Sequence, residues 1–507
     1  MSIAMRIMFL GGGLLLLMAT ACLDTSSDAL SGKELARIHC GSCHQFPNPD
    51  LLPREKWENV LPAMGARLGM PSETYDPYSD KTMEVRFKLE AARIFPAEPV
   101  LSQHDWKAIK EYFLQNAPEK LKLPEEREWE ASPQFATRLP ALPLYGPPAI
   151  TMVDYVGHTN AFYLADRNGS FGKLSADLEL AYQIRLPRPI VEVEHIQKDR
   201  MGLLTIGQLY PDEANAGAMV QMDESRISQQ DFLFGQLPRP VHFLATDLDQ
   251  DENEDYVVCS FGNQIGRFSW FERNGSSFTE TIIKEGPGTT RVFAEDLDQD
   301  GDQDLIALFA QGDEGISVFY NQEGKLKEER VLRFPPVFGS NDFEYLDFDG
   351  DGHKDIILTN GDNGDYSNVL KPYHGVRIYL NDGTRHFEEK YFFPFYGAAK
   401  VRCRDFDLDG DLDLFVMSFF PDFDISGQNS LVYLENQGEW HFQPYRIPHA
   451  DAGRWMVMDA GDLDQDGDED LVLGSFTLNS TGVADSLIRR WETSNQKILV
   501  LENQQVP

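Results

Sequence analysis

The sequence predicts a mainly β protein, a seven-bladed β-propeller preceded by a small all-α domain. Three observations support this prediction. An Asp-rich loop recurs five times in the second half of the chain, roughly every 50 to 60 residues. Apolar strands and a turn that contains Asn follow each copy of the loop. Helical periodicity lies ahead of residue 118.

The composition is that of a folded but strongly acidic chain. Of its 507 residues, 42% are hydrophobic and 11% are aromatic, which excludes a disordered acidic polymer. The 82 acidic residues outnumber the 45 basic ones and give a formal net charge of −37 at pH 7. Because the phosphate backbone would repel this charge, we expect no nucleic-acid partner.

Residues 1–22 have the pattern of an export signal. Arg6 precedes an apolar run that is too short to span a bilayer, and the small residues Ala-Thr-Ala then lead to Cys22. This ending resembles a bacterial lipobox, which implies lipidation of Cys22 after cleavage. Ordinary cleavage near Ala21, with the thiol left free, is the alternative. We therefore expect an extracytoplasmic protein of the bacterial cell envelope, an outer-membrane lipoprotein that faces the periplasm or the cell surface and is held to the membrane by its N-terminal lipid.

A C-x-x-C-H pattern at Cys40, Cys43 and His44 is typical of covalent c-type haem attachment. Two thiols one helical turn apart can add to the vinyl groups of a haem, and the adjacent imidazole can bind its iron. A zinc half-site and a redox dithiol are the rival interpretations. Zinc would need a second soft pair, which the chain lacks, and a thioredoxin-like site would need βαβ surroundings. Instead, helices are predicted over 31–38 and 54–68.

Residues 31–118 resemble a class I c-type cytochrome. A helix leads into the C-x-x-C-H pattern, and a last helix is predicted over 102–116, with Ser102 as its N-cap. The resemblance implies a covalent haem c whose proximal iron ligand is His44. It also implies an electron carrier, for which a distal ligand is needed.

The distal ligand implied by this resemblance is Met64, in the segment Leu-Pro-Ala-Met-Gly. Met70, which precedes a proline, is the second choice, and Met83 is the third. Each of these residues has the alternative role of a core methionine. His39 and His104 are weaker candidates.

A polar connector over 119–130 leads into the repeats of residues 131–507. The acidic loops of the repeats follow the pattern D-x-D-x-D-G-x-x-D, and we number them loop 1 (247–255), loop 2 (296–304), loop 3 (347–355), loop 4 (405–413) and loop 5 (462–470). Their aspartates at positions 1, 3, 5 and 9 are Asp247, Asp249, Asp251, Asp255, Asp296, Asp298, Asp300, Asp304, Asp347, Asp349, Asp351, Asp355, Asp405, Asp407, Asp409, Asp413, Asp462, Asp464, Asp466 and Asp470.

This pattern predicts four to five calcium sites. Alternate carboxylates can surround a hard cation, Gly at position 6 allows a sharp turn, position 7 offers a carbonyl, and Asp at position 9 closes the site. An EF-hand is excluded because position 12 is apolar in every copy. In loop 1 Glu252 replaces the glycine, so we expect that site to be weak or empty.

Each repeat is predicted to be a four-stranded blade: strand, acidic hairpin, two strands, an Asn-Gly turn and a last strand. Two degenerate units, which begin near Pro148 and Leu186, bring the number of blades to seven. The chain stops after the third strand of the last blade, so residues 129–139 are expected to supply the fourth strand and close the ring. A β-helix is the alternative, but its turns are much shorter than these units.

The loops and blades of residues 131–507 resemble the FG-GAP/VCBS-repeat family, whose calcium-binding propeller blades also occur in integrin α chains. The resemblance implies the fold and calcium binding, but no reaction. Two further cysteines, Cys259 and Cys403, lie in apolar strands and are expected to be small buried residues.

The strand before each acidic loop lies innermost in such a blade, so its first residues approach the central channel. These residues are His242, Arg291, Asp342, Lys400 and Val457, with Arg454 and Trp455 just ahead of the last. They are either solvated strand ends or the lining of a ligand site at the channel mouth.

Three functions fit these observations. The first is an electron-transfer lipoprotein whose haem exchanges electrons with a redox protein and whose propeller binds that partner or a substrate. The second is an oxidoreductase with a substrate site at the channel mouth. The third is a non-enzymatic adhesion protein, for which a haem has no use. The sequence leaves open whether the protein is an enzyme and whether it binds a small molecule or a glycan.

Overall fold

A computed structural model describes residues 30–125, 128–197, 200–364, 367–423, 427–478 and 483–505. The predicted export signal and the predicted lipidation site, Cys22, lie outside these residues. None of the described helices has the length and the hydrophobicity that crossing a lipid bilayer requires.

Four helices form the N-terminal part: α1 (Gly32–Cys40), α2 (Arg54–Arg67), α3 (Met83–Ala91) and α4 (Gln103–Asn116). Three of them match the predicted helices within two residues, whereas α3 was not predicted. The Ser102 hydroxyl accepts a hydrogen bond from the main-chain N–H of Asp105 and caps α4 as predicted.

The helices pack around a small apolar core. The ring of Trp57 in α2 lies 4.5 Å, centroid to centroid, from that of Phe113 in α4, with the two planes tilted by 45°. The indole N–H of Trp57 donates to the carbonyl of Pro49 at 2.8 Å. Trp106 and Ile109 of α4 are also buried in this cluster. Burial of these aromatic side chains is the main stabilising contribution to the helical part.

The described residues from Phe135 onward form seven four-stranded antiparallel sheets. The first strand, β1 (Phe135–Arg138), belongs to the last blade. Blade 1 contains β2 (Ile150–Val156), β3 (Ala161–Asp166), β4 (Ser170–Leu174) and β5 (Leu180–Arg185). Blade 2 contains β6 (Ile190–Gln197), β7 (Arg200–Thr205), β8 (Gly217–Asp223) and β9 (Gln230–Leu237). Blade 3 contains β10 (Pro240–Thr246), β11 (Asp255–Ser260), β12 (Arg267–Asn274) and β13 (Ser277–Glu285).

The same order continues through the remaining blades. Blade 4 contains β14 (Thr289–Glu295), β15 (Asp304–Phe309), β16 (Gly315–Gln322) and β17 (Lys325–Arg333). Blade 5 contains β18 (Ser340–Leu346), β19 (Asp355–Asn360), β20 (Gly375–Asn381) and β21 (Phe387–Pro394). Blade 6 contains β22 (Ala398–Arg404), β23 (Asp413–Ser418), β24 (Leu431–Asn436) and β25 (Phe442–Arg446). Blade 7 contains β26 (Trp455–Gly461), β27 (Asp470–Ser475) and β28 (Ile498–Asn503), with α5 (Asp485–Ser494) before its last strand.

The N-terminal strand β1 completes blade 7 and closes the ring. It pairs antiparallel with β28, with Phe135 opposite Asn503. The Arg138 guanidinium adds an ion pair to Glu502 at 2.8 Å. The predicted closure by residues 129–139 is therefore confirmed. Blade 7 has three strands from the C-terminal part of the chain, β26 to β28, and β1 adds the fourth. The outer edge of β28 is therefore paired.

The helices and the acidic loops lie at opposite rims of the propeller. Each acidic loop joins the first strand of a blade to the second, whereas the helices contact loops that join the second strand to the third. Tyr373 in such a loop of blade 5 donates its hydroxyl hydrogen to the carbonyl of Leu51 at 2.8 Å. Lys88 of α3 donates to the carbonyl of Glu213 in blade 2 at 3.2 Å. We call these two sides the loop rim and the helix rim.

Cys259 and Cys403 are buried, with 0% and 1% of their surfaces exposed, in the second strand of blade 3 and the first strand of blade 6. Both are free thiols, and burial raises the pKa of each. The expectation that they are small core residues is confirmed.

Candidate functional site

The five acidic loops occupy the loop rim, one in each of blades 3 to 7. In every loop, three aspartates place one carboxylate oxygen each within 4.8 Å of the others. The groups are Asp247, Asp249 and Asp251; Asp296, Asp298 and Asp300; Asp347, Asp349 and Asp351; Asp405, Asp407 and Asp409; Asp462, Asp464 and Asp470. The fold thus joins positions 1, 3 and 5 in four loops, and positions 1, 3 and 9 in loop 5. Clustered carboxylates repel one another, and a hard divalent cation such as Ca²⁺ relieves that repulsion.

Main-chain N–H groups wrap each loop around its first aspartate. In loop 5 the N–H of Asp466 donates to one oxygen of Asp462 at 3.1 Å, and the N–H of Gly467 donates to the other at 3.2 Å. The four glycines at position 6 have φ between +91° and +100°. Because side chains disfavour this conformation, the glycines permit the turn that the pattern predicted.

Loop 1 departs from the other loops in two ways. Glu252 takes the position of the glycine and is held at φ +68°, a strained conformation for a residue with a side chain. The main-chain N–H of Asn253 donates to one oxygen of Asp251, as position 7 does in the other loops, but in loop 1 the side-chain amide of Asn253 also donates to the second oxygen at 2.8 Å. An internal donor thus engages the carboxylate that a cation would need. Loop 1 is therefore the least suited of the five to bind a cation.

The aspartate at position 9 is buried in every loop and fixes the loop to the rest of its blade. In loop 2, Asp304 accepts the N–H of Leu297 at 2.9 Å and the N–H of Asn321 at 2.8 Å. The equivalent pair of donors recurs in loops 3 and 5. The second donor is the Asn of the repeated Asn-Gly turn. The sequence predicted a turn there but did not predict its hydrogen bond to the aspartate at position 9. Position 9 is thus a structural anchor as well as a candidate ligand, which sequence reasoning missed.

Burial of the aspartate at position 9 has its largest effect in the last two loops. It raises the pKa of Asp413 in loop 4 and of Asp470 in loop 5 to about 7. Neighbouring aspartates of the same loops raise both pKa values further. A bound cation would favour the charged form of both groups.

The C-x-x-C-H turn lies at the end of α1. Cys40 is half-buried and Cys43 is exposed, and both are free thiols. Burial, with the adjacent Cys43 as a second cause, raises the pKa of Cys40 to about 12. The Nδ1–H of His44 donates to the carbonyl of Gln45 at 3.0 Å, which leaves Nε2 as the basic nitrogen. Two thiols and an oriented imidazole are the donor set that covalent haem attachment requires.

The apolar surface next to this turn also fits a haem. Cys40, Phe46, Met64 and Leu68 are partly buried side chains at the edge of the helical core. Met70 lies inside that core, with 3% of its surface exposed, whereas Met83 begins α3 and is 63% exposed. Of the three candidate methionines, Met64 is therefore the one that shares a half-open apolar edge with Cys40.

Blade 4 of the propeller faces the C-x-x-C-H turn. Burial lowers the pKa of His44, and among smaller effects Asp313 raises it and Arg333 lowers it. Both of these propeller residues line an open pocket of about 460 Å³. Val337, four residues after Arg333, packs against the helical core. The turn thus lies at the boundary between the helices and the propeller, which its sequence did not indicate.

The central channel contains a network of ion pairs. Asp342 in blade 5 is 3% exposed and is contacted by Arg291 at 3.0 Å, Arg402 at 3.2 Å and Lys400 at 3.8 Å. Although burial opposes ionisation, these three cations hold the pKa of Asp342 well below its usual range. Between blades 2 and 3, His242 Nδ1 lies 3.2 Å from a carboxylate oxygen of Glu192.

These contacts correct one expectation about the channel. Solvated strand ends were one of two interpretations, but Asp342 is buried and paired with residues of neighbouring blades. Two predicted mouth residues turn into the protein instead. Trp455 is fully buried and donates its indole N–H to Ala450 at 2.7 Å, and Arg454 lies over the Phe419 ring at 3.7 Å.

Comparison with protein families identifies FG-GAP-like repeats in this chain. The model of this repeat matches residues 247–307, 296–358, 347–416 and 405–473, so each match runs from one acidic loop into the second strand of the next blade. The chain therefore carries FG-GAP-like repeats on a seven-bladed β-propeller. The comparison with curated proteins gave no match.

Several solved structures match this chain at low sequence identity and with low TM-scores. The N-terminal domain of Nup159 is 12% identical with a TM-score of 0.41, and the match covers 75% of this chain and 98% of that one. BBS1N, solved in complex with ARL6DN, is 9% identical with a TM-score of 0.43, covering 74% and 97%. The Pan2 WD40 domain from Neurospora crassa is 11% identical with a TM-score of 0.40, covering 71% and 90%. Similarity at this level carries no information on function.

Proposed function

We propose that this protein is an extracytoplasmic electron-transfer protein in which a haem-bearing helical domain rests on a calcium-stabilised propeller. The propeller serves as the platform that binds a redox partner or a substrate. The observation that carries the proposal is the arrangement of Cys40, Cys43 and His44 at the end of α1. Both thiols are free, and the imidazole is oriented by a hydrogen bond that leaves Nε2 basic.

The surroundings of the turn support a haem rather than a zinc site. Among the described residues, the groups of His, Cys, Asp and Glu close enough to share an ion lie only in the acidic loops. A third and fourth zinc ligand next to Cys40 is therefore absent from the described part of the chain. The partly buried side chains of Phe46, Met64 and Leu68 offer the apolar contact that a porphyrin needs.

A covalent haem c would supply a one-electron redox centre at this position. The chain would hold it through Cys40 and Cys43, with His44 Nε2 and Met64 Sδ as the iron ligands. The carbonyl of Gln45 keeps the His44 ring in one tautomer. The partly buried apolar edge of the helical core would contact one side of the haem.

Calcium in the acidic loops would stiffen the propeller. The loops join the innermost strand of each of blades 3 to 7 to the second strand, so a cation there holds together the strands that build the channel wall. The helix rim is left to the haem domain. A partner that docks near the haem would therefore meet blades 2 to 5, and not the acidic loops.

Export and lipidation at Cys22 complete the proposal, since c-type haem is attached outside the cytoplasm. The alternative, an oxidoreductase with a substrate at the channel mouth, has weaker support. Arg291, Lys400 and Arg402, the cations that would bind an anionic substrate, already contact Asp342. Pure adhesion leaves the C-x-x-C-H turn without a use.

The test is production of the full-length protein in a bacterial host competent for c-type haem attachment. We expect an intact mass that includes one haem, and α and β bands typical of a c-type haem in the reduced-minus-oxidised spectrum. The double variant Cys40→Ala/Cys43→Ala should lose both, whereas Cys259→Ala should keep them. A wild-type protein without covalent haem in such a host would overturn the proposal.

A further inference from the structure

The five acidic loops differ at position 7, to which the repeat pattern assigns only a main-chain carbonyl. The residues at this position are Asn253, Asp302, His353, Asp411 and Asp468. Three loops therefore carry a carboxylate beyond those of the pattern. Whether that carboxylate is available to a cation depends on what it contacts.

The carboxylate of Asp468 in loop 5 is buried without a partner. The residue is 1% exposed, and neither of its oxygens accepts a hydrogen bond from any described residue. Its charged neighbours are the loop aspartates, with Asp466 the strongest and Asp470 and Asp464 behind it. A buried carboxylate that faces only other carboxylates is unfavourable unless a cation lies among them.

Asp411 in loop 4 resembles Asp468 in one respect, although the residue as a whole is only partly buried. Its Oδ1 atom is buried and accepts no hydrogen bond from the described residues. Its acidic neighbours are Asp409, Asp407 and Asp405, in decreasing order of influence. Oδ1 of Asp405, at position 1 of the same loop, is also buried without a partner. Loop 4 therefore has two carboxylate oxygens that the protein itself does not satisfy.

Asp302 in loop 2 is different although its position is the same. The side-chain amide of Gln250, in the neighbouring blade, donates to one of its oxygens at 2.8 Å. The main-chain N–H of Glu323 donates to the other at 3.4 Å. Both oxygens of Asp302 already accept hydrogen bonds from the protein, so this carboxylate is not available to a cation. It is the natural control for the other two aspartates.

We propose that Asp411 and Asp468 are additional side-chain ligands, so that loops 4 and 5 are the two tightest divalent-cation sites of the propeller. This inference rests on the proposed calcium binding and adds an order of affinity among the loops. An extra carboxylate adds an oxygen ligand and a negative charge, and the charge of the ligands is one property by which such loops set their affinity. Loops 2 and 3 lack this ligand, and loop 1 has an internal donor in its place.

Loops 4 and 5 lie next to the closure of the propeller, so tight cation binding there would affect that closure. Loop 5 belongs to blade 7, the blade that β1 and β28 close. Its Asp470 accepts the main-chain N–H of Asn503 at 3.0 Å, and the side-chain amide of Asn503 donates to Phe406 in loop 4 at 2.7 Å. The amide of Gln134, just before β1, donates to the same carbonyl of Phe406 at 2.7 Å. Cations in loops 4 and 5 would therefore stabilise the contact between the two ends of the propeller chain.

Calcium titration of the full mature protein, stripped of metal by a chelator, tests the proposal. We expect isothermal titration calorimetry to show two tight sites in the wild type. Asp411→Asn and Asp468→Asn should each weaken one of them at least tenfold, and Asp302→Asn should leave both unchanged. An unaltered isotherm for Asp411→Asn and Asp468→Asn, or an equal loss in Asp302→Asn, would overturn the inference while calcium binding itself stood. A wild type that binds no calcium would overturn both.

Thermal unfolding separates a lost ligand from a damaged fold. In chelator, Asp468→Asn should melt at the same temperature as the wild type or higher, since the variant lacks a buried charge that has no partner. In calcium, its melting temperature should rise by less than that of the wild type. A variant that melts lower than the wild type already in chelator would show that Asp468 stabilises the metal-free fold, which contradicts the proposal.

Discussion

Arg402 in blade 6 donates its Nε–H to Oδ1 of Asp459 in blade 7 at 2.6 Å, inside the central channel. The same guanidinium lies 3.2 Å from Asp342 and 3.3 Å from Glu344 in blade 5. All four side chains are buried or nearly so. One arginine therefore joins the inner strands of three consecutive blades, and the carboxylates raise its pKa although burial opposes them.

Replacement of this arginine should destabilise the propeller strongly. Arg402→Met leaves three carboxylates in the channel without a common cation, and breaking a buried ion pair in this way costs about 3–5 kcal/mol. Denaturant unfolding of the propeller measures the loss. Lys400→Met, which removes a longer 3.8 Å contact from a more exposed side chain, should cost much less. Equal losses in the two variants would contradict the role given to Arg402.

Removal of calcium should lower the melting temperature of the propeller. Without a cation the clustered carboxylates of the loops repel one another in the folded state. Differential scanning calorimetry with EGTA and then with excess calcium measures the difference, and magnesium in place of calcium provides the control. An unchanged melting temperature in EGTA would refute a structural role for calcium.

Glycine at position 6 of loop 1 should stabilise the metal-free protein slightly. Glu252 is held at φ +68°, and Glu252→Gly removes a strain of about 1 kcal/mol. Glu252→Ala removes the same charge without relieving the backbone and is therefore the matched control. Chemical denaturation in EGTA compares the two, and a gain that is equal in both variants would assign the effect to charge.

The choice of distal haem ligand can be tested by spectroscopy. Met64→Leu should convert the haem to a form without a thioether ligand and should lower its reduction potential, because methionine ligation raises it. Met83→Leu, at a position that is 63% exposed, should change neither property. Met70→Leu, in the core, should mainly reduce stability. A potential that depends on Met70 and not on Met64 would reverse the assignment.

Glu314 should make stability depend on pH. It is 2% exposed and accepts hydrogen bonds from the N–H and the hydroxyl of Ser340, both at 3.0 Å. Burial raises the pKa of Glu314 to about 8, above the value of about 4.3 for an unfolded chain. The folded state therefore holds the proton longer, and the contribution of Glu314 to stability is full below pH 4 and is lost as pH rises to 8.

Glu314→Gln should remove this part of the pH dependence. The variant keeps an oxygen that accepts from Ser340 and carries no proton to lose. Relative to the wild type, we expect a gain on the order of 3 kcal/mol at pH 8 compared with pH 5. Unfolding in urea at the two pH values measures it, with the exposed Glu329→Gln as control. Parallel pH profiles for wild type and Glu314→Gln would contradict the assignment.

The number and order of the blades were readable from the sequence because a propeller repeats a local pattern. Each acidic loop is encoded within nine residues, and so is the turn made by its glycine. Closure by residues 129–139 was also predictable, since a blade that lacks its outer strand leaves unpaired hydrogen-bonding groups. The C-x-x-C-H turn and the capped helix α4 are likewise local patterns.

The channel network could not be predicted in the same way. Arg291, Asp342 and Lys400 were placed at the channel, but their pairing depends on how far neighbouring blades are rotated against one another. Arg402, two residues further along its strand, was not singled out at all. The position of Arg402 is not charged in every blade, since blades 3 and 4 have Leu244 and Phe293 at the equivalent position.

By itself the sequence determined the seven-bladed fold, the five acidic loops and the thiol-imidazole turn, because each depends on residues close together in the chain. Only the tertiary structure decided that the helices cover the rim opposite the acidic loops. It also decided that Arg402 joins three blades, and that Asp302 is satisfied by Gln250 while Asp468 has no partner. These are contacts between segments about 50 or more residues apart or differences in burial, and both arise only when the blades pack against one another.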